Sequence, residues 1–178
     1  LQINVDNRRA PDRVPMNHFD WFNHGGLYRE VSLYALPKIF IKDIGISLVP
    51  DGALSSIDCG VELSDPVDGE ATVIIEGLSA KIPISNGRGH AIVNAKPKLW
   101  SPGSPTLSAV TVHFGEDEIH ERIGFREIRV AGMDILFNGS PIRLNGVCVH
   151  EDDIALGKTT NEADIRRRMA HAKELGCN

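Results

Sequence analysis

The chain has 178 residues, of which 42% are hydrophobic and 24% charged, and it carries a net charge of −5. That length supports one well-buried domain plus extra pieces, and the negative balance argues against a nucleic-acid partner. No run of 18 apolar residues occurs, so no membrane-spanning helix is expected and no membrane partner is implied.

Leu1, Ile3 and Val5 alternate with Gln2, Asn4 and Asp6, which predicts a strand over residues 1–6. A polar loop rich in Arg, Pro and Asn follows to His18. After Asp20 and Gly25-Gly26 comes a second predicted strand, residues 27–36. A start inside a strand and a stop just after a helix read as a piece of a larger protein. Both terminal regions are expected to present unpaired edges, leaving either disorder at both ends or a homo-oligomer built by strand pairing or swapping.

Pro37 punctuates the chain between two strand-like runs. Seven such runs follow, over residues 39–49, 54–64, 71–76, 80–84, 90–94, 107–114 and 118–128. Turn signals such as Pro50-Asp51-Gly52, Asp68-Gly69 and Asn86-Gly87 separate them. Short strands of period two with no helix among them predict a β-sandwich of about 100 residues. In its second strand, Ile57, Cys59, Val61 and Leu63 are expected to face the core, opposite Asp58, Gly60 and Glu62. Cys59 then reads as a small buried hydrophobe. The three cysteines lie far apart, have no zinc spacing and offer no inter-sheet pair, so three free thiols are expected.

Residues 124–151 lead out of the sandwich. Phe125, Ile128 and Val130 read as a half-buried strand and Gly132-Met133-Asp134 as a turn. Ile135-Leu136-Phe137 is a short run stopped by Asn138-Gly139, a hairpin signal. A strand over 142–149 is predicted to deliver the polar cluster His150-Glu151-Asp152-Asp153, where function tends to sit. A helix follows. Thr159 with Glu162 suggests its capping box, Ile165, Met169, Ala172 and Leu175 its apolar stripe, and Gly176 its stop. Arg166-Arg167-Arg168 reads as a solvated face.

Several spaced elements resemble the family-2 glycoside hydrolases, which include β-galactosidases and β-glucuronidases. They are GFREI from Gly124, FNG-PI-LNGV from Phe137, the His150-Glu151 pair, Gly157, and the helix ending KELGCN. Gly25-Gly26-Leu27-Tyr28-Arg29 resembles the GG-aliphatic-aromatic-Arg pattern of the family's sugar-binding jelly roll. Leu99-Trp100-Ser101-Pro102 resembles its LWSP segment. Many members carry Asn-Arg before the His, whereas Cys148-Val149 stand here, which suggests a different branch.

The resemblance implies a mainly β fold in three parts. Residues 1–37 would end the jelly roll, 38–127 would form an immunoglobulin-like sandwich, and 128–178 would begin a TIM barrel. It implies a retaining glycosidase with a carbohydrate substrate, of β-galactosidase type. Its two catalytic Glu would lie beyond Asn178, so no catalytic residue is assigned within the chain. Asp20 and His150 would contact sugar hydroxyls, with Glu151 in support. No cofactor is implied. His18, Asp20 and His24 match no metal motif. The competing expectation is a free-standing carbohydrate-binding or adhesion sandwich, which residues 129–178 would exceed.

Overall fold

The computed structural model describes residues 1–13, 17, 22–50 and 53–178. They divide into two compact units, one of residues 34–143 and one of residues 1–33 with 144–178.

The first unit is the sandwich. Its strands among the described residues are β1 (Ile41–Leu48), β2 (Ser56–Leu63), β3 (Gly69–Ile75), β4 (Leu78–Ser85), β5 (Arg88–Asn94), β6 (Ser108–Phe114) and β7 (Asp117–Ile123). Six lie within about two residues of the runs predicted for them, and β7 stops at Ile123, five residues short of its run. The strands hydrogen-bond in the order β1-β2-β5-β4-β3-β6-β7. Lettered A to G along the chain, that is A-B-E-D-C-F-G, the order met on passing around an immunoglobulin-type sandwich. The sheet turns over at the β4–β5 hairpin. There only Ile84–Gly89 and Ser85–Arg88 pair, whereas β4 pairs with β3 along its whole length. At the other corner, Ile41 N–H donates to Asp117 Oδ2 at 2.7 Å, linking the edge strands β1 and β7.

The period-two pattern decides which side chains go inside. Ile57, Cys59, Val61 and Leu63 are each no more than 4% exposed, and they meet Ala71, Val73, Ile82, Val110, Val112 and Phe125 in one core. The register slips between Ile41 and Asp43. This bulge leaves Lys42 without a partner across the ladder and lets both Ile41 and Ile44 turn to the core.

Three short strands extend this unit: β8 (Ile128–Ala131), β9 (Asp134–Phe137) and β10 (Ser140–Pro141). Asn138 and Gly139 have φ of +49° and +80°, so the predicted turn forms as a two-residue hairpin with both central residues left-handed. Asn138 also joins the hairpin to the sandwich. Its Oδ1 accepts from Glu127 N–H at 3.0 Å, and its Nδ2 donates to Trp100 O at 3.0 Å. The indole of Trp100 packs against Phe137, with centroids 5.8 Å apart, and under the Arg126 guanidinium.

The second unit departs from expectation. Residues 1–6, 27–36 and 142–149 were predicted as strands, yet none of those spans is a strand. Alternation supplies a face but not a ladder, and Leu1, Ile3 and Val5 are all exposed. After β10 the pairing ends one residue later, at Ile142 N–H to Ile135 O. The helix α1 (Glu162–Glu174) is present, but its cap moves by two residues. Thr159 Oγ1 is engaged as a donor to Leu156 O at 2.6 Å. Asn161 caps instead, its Oδ1 accepting from Asp164 N–H at 3.1 Å while the Asp164 carboxylate accepts from Asn161 N–H. Gly176, at φ +82°, follows the helix as predicted.

Candidate functional site

The polar cluster His150–Asp153 sits in the second unit, in a segment that α1 and residues 22–29 hold in place. At its start, Asn145 N–H donates to Asn178 Oδ1 at 2.9 Å, and Asn178 N–H donates back to Asn145 O at 3.1 Å. One turn of α1 then reaches it. Arg168 donates to the carbonyls of His150 and Asp152. Of the three arginines read as a solvated face, two do pair within the helix, Arg166 with Glu162 and Arg167 with Asp164. Arg168 does not, because its position on the helix points it at the loop.

Beyond Glu151 the backbone closes on itself. Asp153 N–H and Gly157 N–H exchange hydrogen bonds with each other's carbonyls at 2.8 and 2.9 Å. Inside this turn, Asp153 Oδ1 accepts from Ala155 and Leu156 N–H. Those two donors hold its carboxyl below the usual carboxylate range. Gly157 has φ +58°, and a Cβ there would press to 3.1 Å on the His24 ring, so the turn needs glycine for both its backbone and its neighbour.

The turn borders a concavity of about 600 Å³ lined by Phe22, His24 and residues 152–157. On its wall, Asp152 Oδ1 is buried, without a hydrogen-bond partner among the described residues, and 3.6 Å from His24 Nε2. That exceeds hydrogen-bond length, so His24 leaves this buried oxygen without a direct hydrogen bond. The depression joins an imidazole and a carboxylate to an apolar lining of Phe22, Ile154, Ala155 and Leu156, a mixed surface of the kind on which a sugar ring and its hydroxyls can both find contacts.

The residues singled out from the sequence fall as follows. His150 is exposed, and its carbonyl is fixed by Arg168. Glu151 accepts from Arg29 Nη2 at 2.9 Å. Neither lines the concavity. Asp20 and His18 lie outside the described residues. His24 sits against Asp152, with Nε2 3.6 Å from Oδ1. Sequence reasoning missed Arg29 and Asp152 as parts of this arrangement. Arg29 stood in a recognised motif, but its partner Glu151 is 122 residues away, a separation that no spacing rule connects.

The model of one protein family, glycosyl hydrolases family 2, matches residues 40–126. The sandwich thus carries the signature of that family. The match covers the sandwich, and similarity continues through the second unit. A β-glucuronidase of Paenibacillus borealis is 28% identical over 167 residues, 89% of this chain and 28% of that protein. A β-galactosidase of Streptococcus thermophilus is 29% identical over 161 residues, 82% of this chain and 16% of that protein. Among solved structures, a family-2 β-galacturonidase of Eisenbergiella tayi superposes with a TM-score of 0.82 at 28% identity, covering 98% of this chain and 34% of that one. The chain thus spans about a third or less of the length of the relatives it matches.

Proposed function

We propose that the full-length protein bearing this chain is a retaining β-glycosidase that cleaves β-linked uronides, with galactosides as the second substrate class. The likeness to the Eisenbergiella tayi β-galacturonidase over nearly the whole chain, both units included, carries this reading. The sequence by itself pointed to galactosides. Uronides rank first because a β-glucuronidase of Bacteroides uniformis is also similar, at a TM-score of 0.80 and 25% identity.

In a retaining reaction one carboxylic acid protonates the leaving oxygen while a second, about 5–5.5 Å away, attacks the anomeric carbon. Both groups are assigned to residues outside this chain. Within it, His150 and Asp20 contact hydroxyls of the sugar being cleaved and hold the ring for attack. Glu151 and Arg168 keep the His150 backbone in place.

Chromogenic β-glucuronide, β-galacturonide and β-galactoside assays on the full-length protein test this. Turnover on a uronide above that on the galactoside is expected, and no turnover on any of the three overturns the reading. Residues 1–178 alone should turn over none of them.

A further inference from the structure

Arg29 belongs to a motif with no role in the account above, and its surroundings give it one. Its guanidinium donates to the Glu151 carboxylate at 2.9 Å, to the Lys158 carbonyl, and to Thr160 Oγ1 at 3.4 Å. It also donates to its own neighbour's carbonyl, Tyr28 O, at 3.0 Å and lies 5.3 Å from the centroid of the Tyr28 ring.

Glu151 is one foot of the segment that turns at residues 153–157. Lys158 and Thr160 are the other foot, just before the helix cap at Asn161. We propose that Arg29 staples the two feet of the 151–160 segment together and thereby fixes the shape of the concavity formed by Phe22, His24 and residues 152–157.

Three features support it. The donors reach both feet at once, which a point charge on a flexible stem does not do, and the planar fork of arginine suits several acceptors in one plane. Stacking on Tyr28 and the bond to Tyr28 O hold the guanidinium before it meets the segment, so less freedom is lost in each contact. The segment also lacks an apolar anchor of its own: Ile154 and Leu156 are both exposed. Polar contacts therefore set its geometry. An exposed Arg–Glu pair contributes little to global stability, so the consequence is local order rather than the melting temperature. Through Glu151, the neighbour of His150, the staple also makes Arg29 a positioning residue for the site proposed above, and it rests on that reading only for its effect on catalysis.

The test compares Arg29→Ala and Arg29→Lys with the unaltered full-length protein, by amide hydrogen exchange and by steady-state kinetics on the best uronide or galactoside. Arg29→Ala should raise exchange in residues 152–158 while the sandwich strands stay protected. It should also lower kcat about a hundredfold, the scale of a 1 Å misplacement, with KM changed less than about twofold. Arg29→Lys should keep the contact to Glu151, lose the second foot and recover only part of kcat. Added guanidinium ion should restore turnover to Arg29→Ala beyond an equal concentration of sodium salt.

Unchanged exchange at 152–158 in Arg29→Ala overturns the staple. So does a rise of equal size throughout the protein, which would make Arg29 merely structural. If the unaltered protein hydrolyses none of the glycosides, the functional reading fails, and the exchange data still decide the staple.

Discussion

The two units of this chain are built on opposite principles. The buried hydrophobic side chains among the described residues all lie between Ile41 and Phe137, inside the sandwich unit. The other unit exposes Leu27, Val31, Leu144, Val147, Ile165, Met169 and Leu175 and is held by Arg29, Arg168, the Asn145–Asn178 pair and the Asp153 turn. A unit that closes its own core is insensitive to single polar changes and intolerant of cavities. One held by directed polar contacts behaves the other way round, and it is the one that carries the candidate site. The contrast teaches that the family signature over residues 40–126 falls on the unit with its own core, while the candidate site falls on segments whose order depends on a few polar contacts.

The strongest test of that division is His150→Ala in the full-length protein. Under the proposed sugar contact of His150, its loss should lower kcat by about a hundred- to a thousandfold, with thermal unfolding unchanged. A drop in stability that tracks the drop in rate would show that His150 belongs to the fold.

Next in size is Ile57→Ala, which empties a fully buried position between the two faces of the sandwich. It should cost about 3 kcal/mol in urea unfolding. Leu175→Ala, on the exposed end of α1, should stay within about 0.5 kcal/mol. Equal costs at the two sites would erase the distinction between the units.

Thiol chemistry sharpens the comparison further. Burial, and secondarily the charge of Asp58, push the Cys59 thiol up to about 11, and its side chain is inaccessible. Cys148 is exposed. At pH 8 in the native state Cys148 should react with a disulfide reagent, while Cys59 waits for global unfolding. The folded value for Cys59 lies above the unfolded one of about 8.5. Its contribution is therefore complete below that unfolded value and is lost as pH rises toward 11. Cys59→Ala should remove that slope.

The smallest expected effect is at Asp153. Its carboxyl is held below the ordinary range by Ala155 N–H and then Leu156 N–H, so its contribution is present above the ordinary value of about 3.9 and lost as pH falls through the folded one. Acid should raise hydrogen exchange at residues 155–157 before it affects the sandwich, and Asp153→Ala should do the same at neutral pH.

The sequence by itself determined the sandwich. Ile57, Cys59, Val61 and Leu63 alternate with Asp58, Gly60 and Glu62, and a period of two leaves one choice of inward face. The Asn138-Gly139 turn and the Gly176 stop were equally legible, because each is a local backbone conformation that a particular residue type favours. The tertiary structure alone decided the rest. Leu1, Ile3 and Val5 alternate as well as any core strand, yet alternation cannot supply a partner for the backbone. Asn161, not Thr159, caps the helix, because the helix begins at Glu162 and only Asn161 stands in extended backbone beside it, with its Oδ1 on Asp164 N–H. Arg29 and Glu151, and likewise His24 and Asp152, meet across more than 120 residues of chain. Local propensity carries no information over that separation; only the folding of residues 1–33 with 144–178 into one unit brings those charges within reach.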